Sequence, residues 1–369
     1  MLQSSLIRRP AGAAAAAMAR SNGRAANGKS TPVQQMSAKD TSSMVDAAAT
    51  GRRGTAKMNH NAAATARAAT DAAIAAGKRV AQDAATNAAL APGSKTIAFL
   101  GFGVMAKAMA VGMQSAPNSP FGKYVLCDNN RKVLEGAASA ITAAPATTTR
   151  DAEAAIVDAD VIVLAVKPQG MTRLLKRLPL KENHLVVSIV AGWSIDRILS
   201  TLPERDPAKQ PRVVRTMPNT PLQVGKGCTL YATSEACSEA DELTVEAMFS
   251  SSGIIEPLTE AQLDAATGIA GSGPSYVALF MEALADGAVK QGLPRDLAIK
   301  LAAHTVEGAA AMCTEAGGGL HPAILKDRVC SPGGTSIHGV TELENHGVRK
   351  AIIAAVAGAT KRSKELNKI

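Results

Sequence analysis

From Thr96 onward the chain breaks into short apolar runs separated by mixed stretches. The first is Thr96-Ile97-Ala98-Phe99-Leu100. Tyr124 to Cys127, Val161 to Val166 and Leu185 to Val190 follow, with Arg212 to Arg215 and Cys228 to Tyr231 as two shorter candidates. Apolar runs this short, between turn signals, suit strands buried on both faces. Helix formers fill the intervals, as from Val104 to Met113. Strands alternating with helices predict an α/β fold, an N-terminal Rossmann-type doubly wound parallel sheet over residues 94–258. After about residue 258 the strand pattern stops. Gly273-Pro274 opens a helix that runs to Gln291, Gly292 closes it, and Pro294 starts the next segment. Residues 296–316 and 340–366 also read as helices rich in small side chains, so 259–369 form an all-helical second domain. Such helices bury little area each, which predicts dimerisation through this domain.

Composition alters this picture mainly at the start of the chain. Hydrophobic residues make up 46% and aromatic ones 2%, so the core must be built from Ala, Val, Ile and Leu. The formal charge of +9 is uneven: residues 1–93 hold 12 Lys/Arg and 4 Asp/Glu, which leaves the rest of the chain at +1. A nucleic-acid role would need basic residues clustered with aromatics, and neither domain has such a cluster. No uninterrupted apolar stretch is long enough to span a bilayer. The first acid is Asp40, after Arg8, Arg9, Arg20, Arg24 and Lys29 and many alanines. That make-up suits a transit peptide for a mitochondrion or plastid. The alternative is an unprocessed Ala-rich tail on a cytoplasmic protein. Residues 62–91 have alanine-helix propensity, and 1–93 are read as an extension outside the catalytic fold. The five cysteines are single and irregularly spaced and the six histidines scattered, which fits a reducing compartment and gives no metal-site spacing.

The first chemical signal is Gly101-x-Gly103-x-x-Ala106, set between a strand and a helix. Gly101 permits the tight turn and Gly103 lets a pyrophosphate approach the backbone. Ala106 keeps helix and strand close, while Val104 and Met105 open the helix whose amides face the anion. The second strand ends in Asp128-Asn129-Asn130-Arg131. An acid there suits the ribose 2′-hydroxyl of NADH, whereas Arg131 with Asn129 and Asn130 suits the 2′-phosphate of NADPH; the balance favours NADPH, with NADH open. Ala165-Val166-Lys167-Pro168 ends the third apolar run, where parallel sheets form their ligand crevice. Lys167 there could face the nicotinamide ribose or phosphates; the alternative is a solvated lysine at a strand end.

A second signal lies in the helical part. Ser331-Pro332-Gly333-Gly334-Thr335-Ser336 is a glycine-bearing loop that starts a helix, and exposed amides with hydroxyls there suit a small carboxylate. Without context, a flexible loop with an N-cap explains it as well. The surrounding run, Leu325-Lys326-Asp327 through Val329 to Ser336 and then Gly339-Val340-Thr341-Glu342-Leu343-Glu344, supplies that context. It resembles the signature of pyrroline-5-carboxylate reductases. Further matches follow in order: the GxGxxA opening, Ala165 to Pro168, Val187-Ser188 with Ala191-Gly192, Met217 to Pro221, Asp264 to Gly268, Gly271 to Tyr276 and Glu282 to Gly287.

The resemblance covers roughly 95–366. It implies an NAD(P)H-dependent reduction of 1-pyrroline-5-carboxylate to L-proline by a homodimer or higher homo-oligomer. In the family's terms Ser331, Gly333, Gly334, Thr335 and Ser336 hold the substrate carboxylate. Ser336 occupies the usual threonine position beside the imine nitrogen, which makes it the catalytic candidate. Glu260 matches a glutamate near substrate or cofactor, and Ala191 and Asn219 join the cofactor set. Ser336 keeps the hydroxyl of that threonine but lacks its methyl, and Pro218 departs from some relatives. Hydride transfer to C=N needs neither a nucleophile nor a metal, so the lack of Cys-His or paired-carboxylate sites agrees. A 3-hydroxyacid dehydrogenase would want a lysine where position 279 is Leu, and a silent scaffold would show a damaged substrate loop.

Overall fold

The computed structural model describes residues 90–367 except 204–205, 207–208 and 315–317. The expectations for the extension therefore lie, apart from its last four residues, outside the described part. Eight strands form one sheet: β1 (Lys95–Leu100), β2 (Phe121–Cys127), β3 (Ala146–Thr149), β4 (Val161–Leu164), β5 (Leu185–Ser188), β6 (Arg212–Met217), β7 (Gly227–Thr233) and β8 (Gly253–Pro257). Their order is β3-β2-β1-β4-β5-β6-β7-β8. The chain winds outward from β1 to β3, returns to place β4 on the other side of β1, and continues outward. The strand order thus reverses between β1 and β4, the place where such sheets open a ligand crevice.

Residue alternation explains the layers. Ile97 and Phe99 face one side of β1, where they join Val163, Val187 and Val214. That side is covered by α1 (Val104–Ser115), through Met109 and Met113, and by α6 (Glu239–Phe249), through Val245 and Met248. Ala98 and Leu100 face the other side with Ile162, Val186 and Val213. The short helices α3 (Ala152–Ala155), α4 (Met171–Leu175) and α5 (Ile195–Thr201) cover it; α2 (Arg131–Leu134) lies between β2 and β3.

The sheet differs from the sequence expectation in three places. β3 and β8 were absent from it, because Ala-Thr-Thr-Thr carries no apolar run and Gly-Ile-Ile-Glu-Pro is an edge strand bounded by Gly and Pro. β7 runs antiparallel to β6, an exception in an otherwise parallel sheet. The segment between them holds a 3₁₀ turn, Thr220–Val224, and no crossover helix. A parallel return needs such a crossover.

Among the described residues every element after β8 is helical: α7 (Glu260–Ala266), a π turn at Thr267–Gly271, α8 (Gly273–Lys290), α9 (Arg295–Cys313), α10 (Pro322–Val329), α11 (Thr335–Asn345) and α12 (Val348–Leu366). The single helix expected over 340–366 is instead two, broken at Gly347, whose φ of +70° is left-handed. The α8–α9 pair buries Ala285, Ala298 and Ala302 and leaves Leu279, Phe280, Ile299 and Leu301 exposed. α12 packs back against α7 and the π turn. Among the described residues no helix is long and apolar enough to cross a membrane.

Candidate active site

Because β1, β2, β4, β5 and β6 are mutually parallel, their carboxyl ends lie along one edge. Gly101 to Ala106 follow β1, Asn129 to Arg131 follow β2, Ala165 to Pro168 follow β4, Ala191 follows β5 and Asn219 follows β6. The fold thus gathers the cofactor candidates along one edge of the sheet.

The β1–α1 turn suits a pyrophosphate. Gly101 has φ +92°, and a Cβ there would come within 2.6 Å of the Ala165 carbonyl oxygen, so the turn fits tightly against the end of β4. A Cβ at Gly103 would meet nothing within 4 Å, which leaves the approach open. α1 has no side-chain cap and no acid in its first turn, so its leading amides and dipole remain available to an anion. Ala106 and Phe102 are buried beneath, while Val104 is exposed and Met105 half-buried.

Asp128 is engaged within the polar turn itself. One carboxylate oxygen accepts the Phe102 amide at 2.9 Å and the other the Asn130 amide at 2.8 Å. The acid therefore fastens the glycine turn to the end of β2. Asn130 caps α2 by accepting from the Lys132 amide, and Asn129 and Arg131 are exposed beside it; Arg131 also pairs with Glu135 at 3.4 Å. Across the crevice Lys167 is exposed, while Ala165 and Val166 are half-buried.

Further along the edge, two candidates have side chains held by the protein itself. Asn219 accepts from the Cys228 amide at 2.8 Å and donates to the Ala270 carbonyl at 3.0 Å, which ties the end of β6 to β7 and to the π turn. Glu260 accepts from the Ile195 amide at 2.8 Å and from the Arg215 guanidinium at 3.0 Å. Trp193 is buried in the core, with the Arg197 guanidinium 4.1 Å from its ring centre, so it packs rather than lining the crevice.

The Ser331–Ser336 loop joins α10 to α11. Gly333 has φ +67°, the Gly334 amide donates to the Ser331 carbonyl at 3.0 Å, and α11 begins at Thr335 with no side-chain cap and no acid in its first turn. Ser331 and Thr335 are exposed, and Ser336 is half-buried. The loop's hydrogen bonds are within itself and to His338 of α11, and none joins it to the cofactor edge among the described residues. Two surface hollows lie elsewhere. One of 280 Å³ sits by Ser119 and Gly122 near the opposite ends of the strands, and one of 170 Å³ lies between Lys123, Thr149 and Asp158.

No sequence motif marks Arg215, Asp264 or Asn367 as neighbours of the candidate site. The signal was a charge inside an apolar strand run and an acid in a buried helix, yet neither motif names a partner.

Comparison with known proteins identifies the family. Residues 260–366 match the family model for pyrroline-5-carboxylate reductase dimerisation, and 96–192 match a model described as NADP oxidoreductase, coenzyme F420-dependent. A pyrroline-5-carboxylate reductase of Glycine max is 39% identical over 278 residues, covering 74% of this chain and 97% of that protein. One from Synechocystis sp. is 48% identical over 211 residues, 57% of this chain and 76% of that protein. Among solved structures, the pyrroline-5-carboxylate reductase of Coxiella burnetii superposes with a TM-score of 0.66 at 30% identity, over 75% of this chain and 100% of that one. That of Plasmodium falciparum, solved with NADP bound, gives 0.63 at 29%, over 75% and 99%. With relatives this similar across nearly their whole length, the chain belongs to the pyrroline-5-carboxylate reductase family.

Proposed function

We propose that this protein reduces 1-pyrroline-5-carboxylate to L-proline with NADPH. The observation that carries the reading is the β1–α1 turn: an open Gly103 and an uncapped helix start, with Asp128 fastening the turn. When bound, the reduced nicotinamide supplies the hydride for the imine carbon. Gly101, Gly103, Val104, Met105 and Ala106 would hold the pyrophosphate by backbone contacts. Arg131 and Asn129 are exposed beside the end of β2. This supports a 2′-phosphate over a bare ribose, and therefore NADPH over NADH. Asn130 shapes that turn by capping α2. Ala165, Val166, Lys167, Pro168, Ala191 and Asn219 would line the nicotinamide end.

The substrate carboxylate would lie against the leading amides of α11, with Ser331, Gly333, Gly334 and Thr335 around it. Ser336 would keep its hydroxyl at the imine nitrogen and hold or relay the proton that nitrogen gains. Residues 94–258 thus serve the nucleotide and 259–369 the substrate. The exposed apolar side chains of α8 and α9 support assembly of the latter with a second copy. The Arg-rich start would be an address for a mitochondrion or plastid, so a chain beginning at residue 94 should keep full activity.

The test is NAD(P)H oxidation at 340 nm by the purified protein with pyrroline-5-carboxylate, beside Ser336→Ala. Turnover that prefers NADPH and falls by about 100-fold in kcat in the variant is expected for loss of a proton-handling group. A folded protein that binds nucleotide yet turns over with neither cofactor would refute the assignment.

A further inference from the structure

The edge of the sheet contains a buried ionic cluster that the motifs did not reveal. Arg215 lies in β6, with 8% of its side chain exposed. One arm of its guanidinium reaches Glu260 at 3.0 Å. The other lies 3.3 Å from the Asn367 side-chain oxygen and 3.6 Å from Asp264. Asp264 in turn accepts from the Ser363 hydroxyl at 2.8 Å and from the Asn367 amide at 2.8 and 2.9 Å. The cluster therefore joins a central strand, α7 and the last turn of α12.

Its location gives it a consequence beyond packing. The Glu260 oxygen that meets Arg215 also accepts the Ile195 amide, the first of α5, whose cap residue Ser194 takes a different amide, that of Arg197. Ile195 ends the loop that leaves β5 through Ala191 and Gly192. Arg197 donates to the Gly192 carbonyl at 3.0 Å. Gly192 has φ +74°, and a Cβ there would come within 2.9 Å of the Leu366 carbonyl oxygen. α5, α7 and α12 thus hold this loop from three directions. Ala191, by contrast, is exposed at the sheet's carboxyl edge.

A buried ion cluster of this kind contributes little net stability over apolar packing of the same volume. Its geometric effect is specific, because it fixes a backbone segment that presents only a methyl and peptide groups to the crevice. Reactant placement is sensitive to shifts of about 1 Å in such a wall.

We infer that Arg215 and Glu260 are positioning residues for the nicotinamide end of the cofactor crevice: Arg215 orients Glu260, Glu260 holds the Ala191–Ile195 loop, and the end of α12 locks both. The inference rests on the proposed nucleotide-binding edge. It also gives Glu260 a role through the loop instead of through the substrate.

The experiment measures NADPH dissociation constants by nucleotide fluorescence in the full chain, beside KM for each substrate, for Glu260→Gln, Glu260→Ala and Asn367→Ala. A glutamine oxygen can still accept the Ile195 amide, so Glu260→Gln should weaken NADPH binding by less than about threefold and Glu260→Ala by about tenfold. Asn367→Ala, which leaves Glu260 intact but frees one side of Arg215, should fall between them. KM for pyrroline-5-carboxylate should stay within about twofold throughout, since no contact to that substrate is removed. NADPH affinity unchanged in a folded Glu260→Ala protein would overturn the proposal. So would a rise in the KM for pyrroline-5-carboxylate with NADPH binding intact. If Glu260→Ala fails to fold, Asn367→Ala decides by the same two measurements. No binding of NADPH by the unmodified protein would refute the nucleotide-edge reading itself. Normal binding without turnover would leave the positioning role to be judged by the dissociation constants alone.

Discussion

Between β1 and β8 the central strands keep their large apolar side chains inside: Phe99, Leu100, Ile162 and Leu164 are all at or below 1% exposure. From α8 onward the same residue types face outward, with Leu279 at 67%, Ile353 at 65% and Ile299 at 53%. Local regularity does not separate the two halves, since both are built of well-formed elements. What separates them is cover. The sheet has helices of its own chain on both faces, so its central strands are covered within one chain. The α8–α9 pair closes only over alanines, and those methyls remove little apolar surface from water. The sheet half is therefore a finished unit in one chain, whereas the helical half presents faces suited to a second copy.

Substitutions can break this contrast or sharpen it. The largest effect is expected in the sheet half: Phe99→Ala should cost about 3–5 kcal/mol of unfolding free energy, read by denaturant titration. A substitution of similar size on the outward helical face should act on assembly instead. Leu279→Arg combined with Ile353→Arg should weaken self-association by about 100-fold, or about 2.7 kcal/mol, by sedimentation at graded concentrations. Should the pair leave assembly unchanged while lowering the stability of the separated chain, the contrast fails.

Gly101→Ala belongs to the sheet half but probes its edge. The positive φ and the close Ala165 carbonyl should together cost about 1–3 kcal/mol, with NADPH affinity lost ahead of the fold. Arg131→Ala should leave stability unchanged and reduce the preference for NADPH over NADH by about tenfold, roughly 1.4 kcal/mol.

The smallest expected effect is alkaline. Burial raises the Cys127 thiol from 9.0 to about 11, with Asp128 and Asp151 adding to the shift. The unfolded chain loses that proton first, so stability is intact below pH 9 and declines between pH 9 and 11. Cys127→Ala should flatten that decline by on the order of 1 kcal/mol, allowing for solvent screening. Tyr124, raised to about 12 by burial, acts in the same direction at higher pH.

Most of the sheet was legible because buried parallel strands are written as apolar runs, and the glycine turn because only glycine fits its backbone. β3 stayed hidden because an edge strand of threonines needs no apolar run, and β8 because Gly and Pro bound it. The reversal of β7 depended on a missing crossover helix, which the run Cys228 to Tyr231 does not encode. The break at Gly347 was visible as a residue but not as a conformation, since glycine tolerates a helix as well as a left-handed turn.

The sequence by itself determined the alternation of strand and helix, the position of the glycine turn and the family signature at Leu325–Ser336. Each is a local matter, fixed by periodicity, by backbone freedom or by residue order. Only the tertiary structure decided what the charged and polar groups do. Asp128 fastens a turn, Asn219 ties β6 to the π turn, and Arg215 meets Glu260, Asp264 and Asn367 across up to 152 positions of chain. Partnerships of that kind depend on which surfaces packing brings together, and spacing along the chain carries no record of them.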